Sequence, residues 1–421
     1  MKHLFLILIV GFSIFSYSQP TVVQRTEIVK TENGFQLIRN GNPYFVNGAG
    51  GTEHLALLKS IGGNSIRTWG TENAQEILDE AHAKGISVCL GLWVGHERHG
   101  FDYNDEYAVK AQLNAFKSDV LKYKDHPALL MWGIGNEVDL FYKNFKVWEA
   151  IEGIAKMIKE LDPNHPTMTV TAGIDPAEVF MINENCPSID ILGINTYGGV
   201  QHLSKAVRQY NWDKPYMVTE WGPYGHWESP TTTWGVAVEA TSKEKADFRK
   251  VAYESIVKDK EMCLGSYAFL WGAKQEQTPT WYGLFTKDGQ ATQSIDVLDE
   301  YWQNSGRNKA PIIHSFTLNG QEKTQSVKVK KSEVCYFAFE ATDSENDDLQ
   351  YVFELMPEST DKKSGGDYEK EPEPIAFNTI EKTDRQLTIN APKMSGAYRF
   401  FIYILDKNNN VATANIPFYV K

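Results

Sequence analysis

Cysteine is scarce in this chain, with 4 in 421 residues. Cys89, Cys186, Cys263 and Cys335 stand far apart, and no pair has the spacing of a metal site. Cys89 and Cys335 lie inside apolar runs, where a free thiol behaves as a small hydrophobe, so a disulfide framework is not indicated. Positive charge is also short: 42 Lys and Arg against 54 Asp and Glu leave a net charge of −12. That balance excludes nucleic acid and anionic membrane surfaces as partners and is compatible with a neutral substrate. No internal repeat is present, which excludes a repeat architecture. Past the N-terminus no apolar run is long enough to cross a bilayer.

At the start, Met1-Lys2-His3 precedes the apolar run Leu4 to Phe15 and then Ser16-Tyr17-Ser18-Gln19. A basic start, a short apolar segment and small residues suited to cleavage after Ser18 make residues 1–18 an expected signal peptide. The mature protein is then expected to be secreted or periplasmic; an uncleaved anchor is the alternative. No Cys follows the run, which speaks against a lipid-modified terminus.

What is present is an alternation of short apolar runs with helical patterns from Pro43 to about Trp302. Expected strands are Tyr44–Val46, Asn64–Thr68, Ile86–Trp93, Leu129–Ile134, Thr167–Val170, Ile189–Ile194, Tyr216–Thr219 and Ser266–Leu270. Helical spacing recurs between them, most clearly in Val147, Ile151, Ile154, Ile158 and Leu161. Eight strand–helix repeats of this size predict an α/β fold, a (β/α)8 TIM barrel, over residues 19–303 with a short N-terminal β segment. Residues 304–311 are polar, end in Pro and read as a linker. From 312 to 421 the period changes to two, and about seven strands predict an immunoglobulin-like β-sandwich. Met356 to Pro374 is charged and contains Gly and Pro, so it is expected to be an exposed loop. The acidic turn Asp343-Ser344-Glu345-Asn346-Asp347-Asp348 resembles those of cadherin-like bacterial modules, where clustered Asp oxygens bind Ca²⁺; a solvated turn is the preferred reading.

The chemistry is expected at the C-terminal ends of the barrel strands. The fourth strand runs into Gly135-Asn136-Glu137 and the seventh into Thr219-Glu220-Trp221, which would aim two carboxylates into one mouth. Hydrolysis of a glycosidic bond needs such a pair, one to protonate the leaving oxygen and one to attack the anomeric carbon.

These two motifs, on these strands, resemble the retaining glycoside hydrolases of the (β/α)8 superfamily called clan A, over roughly residues 40–303. The resemblance implies Glu137 as acid/base, Glu220 as nucleophile, and Asn136 as a donor to the sugar 2-hydroxyl. It also implies that Arg67 orients Glu220 and holds it ionised, and that Tyr197 donates to it. Trp271 would form the aromatic floor under the sugar, and His96 would bind substrate. Apart from the resemblance, His226 and Trp227 follow soon after Glu220, where a place in the cleft and an ordinary loop role are equally open. No cofactor and no metal are implied. The whole layout looks most like glycoside hydrolase family 158, secreted endo-β-1,3-glucanases acting on a polysaccharide, and a monomer is expected. The same barrel suits a β-mannanase, a β-1,4-glucanase or a β-1,3-glucanosyltransferase. A glycan-binding protein that merely keeps a barrel cleft is the non-enzyme alternative.

Overall fold

The computed structural model describes residues 24–421, so the expected signal peptide lies outside the described residues. The chain opens with a small antiparallel sheet, β1 (Thr26–Thr31), β2 (Gly34–Arg39) and β3 (Asn42–Pro43). Its apolar side chains Ile28, Phe35 and Leu37 pack on Val46, Met131 and Leu264 inside the barrel that follows. Backbone bonds from Thr26 to Asn164 and from Phe35 to Glu261 fix it below the strand starts, so it stoppers the barrel floor.

The barrel strands are β4 (Val46–Gly50), β5 (Ser65–Arg67), β6 (Ser87–Leu92), β7 (Leu129–Ile134), β8 (Thr167–Ala172), β9 (Ile191–Asn195), β10 (Tyr216–Trp221) and β11 (Cys263–Ala268). They close in chain order, and every pairing among them is parallel. β7 is buried along its whole length, as an uncharged run between two buried faces requires. The first strand lies later than expected, beginning rather than ending at Val46. Asn47-Gly48-Ala49-Gly50 carries no apolar signal because Tyr267 fills its space: a Cβ on Gly48 would stand 2.4 Å from the Tyr267 ring. β11 is likewise displaced, ending at Ala268 and not Leu270.

The helices are α1 (Leu55–Ser60), α2 (Ala74–Ala83), α3 (Glu106–Tyr123), α4 (Lys146–Leu161), α5 (Pro176–Asn185), α6 (Leu203–Gln209), α7 (Ser242–Lys258) and α8 (Gln293–Trp302). Their starts are set locally where capping side chains are available. Asp105 accepts from the amides of Tyr107 and Ala108, and Thr241 with Glu244 forms a capping box. The α4 stripe buries Val147, Ile151, Ile154 and Ile158 against the sheet.

The C-terminal part is a sandwich of two four-stranded sheets. One holds β12 (Ile312–Leu318), β14 (Val334–Thr342), β17 (Gln386–Asn390) and β16 (Thr379–Lys382); the other holds β13 (Lys328–Val329), β19 (Val411–Val420), β18 (Gly396–Leu405) and β15 (Gln350–Pro357). The strand not foreseen, β16, is an edge strand exposed at every residue, so it has no alternation to read. Cys89, Cys186, Cys263 and Cys335 are all buried and free. In the acidic turn, Asp343, Asp347 and Asp406 approach one another, and Asp347 is met by Lys407 at 2.8 Å and by Asn308 and Asn408.

Barrel and sandwich share a polar seam. Ser242 and Thr413 exchange hydrogen bonds, the Arg399 guanidinium donates to the Ala237 carbonyl at 2.8 Å, and Asn415 donates to Glu239 at 2.6 Å. Glu239 is 1% exposed and is also held by Lys245 (2.5 Å), Thr278 and Thr280. Burial alone would raise its carboxyl pKa, but Lys245 and Arg399 bring it below the usual value. The segment 356–374, expected to be an exposed loop, is a loop exposed over much of its length past β15, and it is also fastened to the barrel. Glu369, 2% exposed, accepts from the Gln277 amide at 2.6 Å.

Candidate active site

The strand ends place Glu137 and Glu220 in one mouth. Glu220 sits within β10 opposite Asn195 of β9. Glu137 follows the end of β7 by three residues and has a left-handed backbone, φ +50°, fixed by its amide bonding the Val170 carbonyl at 2.9 Å. A non-glycine residue in that region is held there by its surroundings, a common condition at reactive sites.

Three donors converge on Glu220. Arg67 Nη1 is 3.0 Å from Oε1, Trp69 Nε1 is 2.8 Å from the same oxygen, and the Tyr197 hydroxyl donates to Oε2 at 3.1 Å. The Tyr197 hydroxyl is pushed well above its ordinary pKa, by burial first and by the charge of Glu220 second, so it stays a donor. Arg67 is 2% exposed and also donates through Nη2 to Asn136 Oδ1 at 2.7 Å. Asn195 Nδ2 reaches that oxygen too, at 3.1 Å, and Glu137 Oε1 at 2.8 Å. With its oxygen doubly occupied, the Asn136 amide has a fixed orientation and turns its NH2 to the cleft it lines.

Glu137 has the opposite environment. Burial first, then the Glu220 charge, pushes its carboxyl up to about 8, against a smaller opposing effect of the Asn195 hydrogen bond. It therefore holds a proton at neutral pH. One carboxyl is an acid with a proton to give; the other faces only donors. A pair divided in this way can supply both the proton and the attacking oxygen that glycoside hydrolysis needs.

Two sequence-based expectations need correction. Trp271 is not the floor of the cleft: it is 1% exposed and packed in the barrel wall, its indole N–H donating to the Glu53 carbonyl at 2.7 Å. β11 ends at Ala268, and past that point the chain turns so that Phe269 and Leu270 line the cleft instead. His96 does not line the cleft either. It is 2% exposed, packs at a tilt beside Trp93, and its Nε2 lies 2.6 Å from the Asn136 carbonyl oxygen, so it props the Asn136–Glu137 turn. Burial lowers its imidazole pKa, keeping it neutral.

Asn136, Glu137, Tyr197 and Glu220 all line one cavity of about 890 Å³, and His226 and Trp227 line it as well. Its aromatic walls are Trp69, Trp93, Phe141, Tyr197, Trp227 and Phe269. Trp69 and Asn195 are residues that sequence reasoning missed. Asn195 had a signal, since it stands at the end of a barrel strand; Trp69, two residues past Arg67, had none. Among the described residues lining the cavity, Lys274 is the one lysine or arginine, and it is engaged by Glu276 at 2.9 Å and by the Gly366 carbonyl.

Known proteins with similar sequences include β-glucuronidases. That of Chlorocebus aethiops is 21% identical over 339 residues, which is 70% of this chain and 49% of that protein. That of Paenibacillus borealis is 28% identical over 189 residues, 39% of this chain and 30% of that protein. The chain thus spans at most about half the length of these relatives. Among solved structures, the β-glucuronidase of Bacteroides uniformis superposes with a TM-score of 0.53 at 13% identity, over 94% of this chain and 48% of that one. Such a likeness speaks for the fold alone. Residues 52–304, more than half of the chain, match the glycosyl hydrolases family 2 TIM barrel domain, and the chain belongs to that family.

Proposed function

We propose that this glycoside hydrolase is a retaining endo-β-glucanase acting on β-1,3-glucan, with Glu220 as nucleophile and Glu137 as acid/base. The observation that carries the mechanism is the division between the two carboxyls, one ringed by Arg67, Trp69 and Tyr197 and the other pushed up to about 8. Glu220 attacks C1 and forms a glycosyl ester while Glu137 gives its proton to the departing oxygen. Glu137 then takes a proton from water, whose oxygen attacks C1 from the face the leaving group vacated, so configuration is retained. Asn136 donates to the 2-hydroxyl of the ring being transferred, an interaction that strengthens as charge develops.

A neutral sugar chain is favoured by the cleft lining. A uronate needs a cation, and Lys274 is already neutralised by Glu276, while Glu220 and Glu228 line the same space. The aromatic walls suit the apolar faces of glucose rings. The second reading, a β-glucuronidase, is favoured by what the similar proteins are named. The test is the product profile on unbranched β-1,3-glucan beside a nitrophenyl β-glucuronide, with Glu220→Gln and Glu137→Gln as controls. Shorter oligosaccharides from wild type, lost by several orders of magnitude in both variants, are expected. Turnover of the glucuronide alone would replace the glucan reading, and products longer than the substrate would indicate transfer to a sugar. β-1,4-Glucan and mannan are the next substrates if neither is cleaved.

A further inference from the structure

The sandwich contributes to the cleft itself. Ser364, Gly365 and Gly366 line the same cavity as Glu137 and Glu220, although they belong to the connection between β15 and β16. We propose that this connection, residues 358–374, builds a binding subsite for a neutral glycan chain away from the bond that is broken. This proposal rests on the glycosidase reading above.

The segment is fastened on two sides of the barrel mouth. On the side of β6 and β7, Arg98 Nη1 lies 2.5 Å from Asp367 Oδ2, and Arg98 also donates to the carbonyls of Ser364 (3.2 Å) and Gly365 (3.3 Å). His99 adds a contact to Asp367 at 3.0 Å. On the side of β11, Lys274 Nζ donates to the Gly366 carbonyl at 2.5 Å, and the buried Glu369 accepts from the Gln277 amide. The side chain of Arg98 is 9% exposed and that of Asp367 34%, so the clamp is half-buried.

The part that faces the cleft is nearly all backbone. Gly365 and Gly366 have φ of +63° and +70°, a conformation that favours glycine. A Cβ on Gly365 would also come within 2.6 Å of Leu140 Cδ2 and 3.0 Å of the Arg98 guanidinium. With the carbonyls of Ser364, Gly365 and Gly366 taken by Arg98 and Lys274, peptide N–H groups brought this close to a cleft offer donors to hydroxyls without filling the space a sugar ring needs. Trp93 and Phe141 supply apolar faces in the same cavity. Neither Asp367 nor Arg98 belongs to the catalytic machinery, so both act by positioning the wall.

Remote binding energy of this kind should show in long substrates only. The test compares wild type with Asp367→Ala and Arg98→Ala on a ladder of β-1,3-gluco-oligosaccharides. For a chain of six or more units the expected result is a roughly tenfold rise in KM with kcat unchanged within about twofold. For the shortest oligosaccharide that wild type still cleaves, both constants should stay as they are, and Asp367→Glu should restore part of the loss. Trypsin cleavage after Lys362, Lys363 or Lys370 should quicken in Asp367→Ala, which reports release of the wall without any substrate. Length dependence unchanged in both variants, or an equal KM change on long and short chains, would overturn the subsite. Failure of wild type to cleave any glucan would instead overturn the substrate reading; the same length comparison is then made by tryptophan quenching on titration with the oligosaccharides. Binding that is absent, or equally tight in wild type and both variants, would overturn the subsite there too.

Discussion

Arg67 and Glu220 form an ion pair at 3.0 Å in which the two side chains are only 2% and 7% exposed. One arginine, at the end of β5, thereby reaches a carboxylate in β10 and, through its other nitrogen, the Asn136 amide that precedes Glu137. Arg67 therefore fixes Glu220 and the Asn136–Glu137 turn together. Removing one partner of a buried pair strands the other's charge, at a cost of about 3–5 kcal/mol.

Arg67→Gln should accordingly lower kcat by at least about a hundredfold and lower the melting temperature by several degrees. Arg67→Lys should rescue little, because a single ammonium cannot bridge Glu220 and Asn136 as the guanidinium fork does. Steady-state kinetics with thermal melts check both. Near-normal kcat in Arg67→Lys would show that charge alone suffices.

Trp69→Phe keeps a ring in the cleft wall and deletes the indole N–H that lies 2.8 Å from Glu220. A hydrogen bond to a charged group contributes about 1.5–3 kcal/mol, so kcat should fall about tenfold or more while KM for a short substrate stays near its original value. A KM effect without a kcat effect would mean that the ring, and not the N–H, is what matters.

Proton occupancy of Glu137 sets two pH responses. In the general-acid role proposed for it, Glu137 must be protonated, so kcat/KM should hold through neutrality and fall only as the pH passes about 8. Its folded-state pKa is raised above the unfolded value, so between about 4.3 and about 8 the folded protein holds a proton that the unfolded chain has lost. Stability therefore declines as pH rises through that window. Glu137→Gln, which cannot ionise, should match wild type in melting temperature near pH 4 and exceed it by a growing margin toward pH 8. Parallel melting curves across that range would refute the assignment.

Trp271 and Phe269 should separate stability from binding. Trp271→Ala opens a hole in the barrel wall and should cost about 3–5 kcal/mol, seen as a lower denaturant midpoint. Phe269→Ala, at the cleft, should raise KM with a smaller loss of stability. The reverse pattern would restore Trp271 as the floor.

Much of this arrangement could be read from sequence because it is written locally. An unbroken apolar run ending in Gly-Asn-Glu or Thr-Glu-Trp states both a buried strand and a polar residue at its end. What failed to show depends on partners distant in the chain. Gly48 makes a strand only because Tyr267 fills the space beside it. Trp271 was misplaced because the end of β11 was set two residues late, and past a strand end the alternation of side chains no longer predicts direction. Trp69 is defined by Glu220, 151 residues away. The connection at 358–374 has the composition of a solvated loop, and only Arg98, Lys274 and Gln277 reveal that it is fastened to the barrel.

Glu239 carries a consequence for how such a protein is inherited. Its carboxylate takes hydrogen bonds from Lys245 and Thr278 on the barrel side and from Asn415 on the sandwich side, with Arg399 of β18 close enough to hold its charge. A barrel recombined with a different C-terminal module would keep an acidic group sealed in the seam with part of its shell missing, a heavy cost for any chimera. The two parts are thus bound to travel as one heritable unit, and calorimetry should record their melting as one cooperative event.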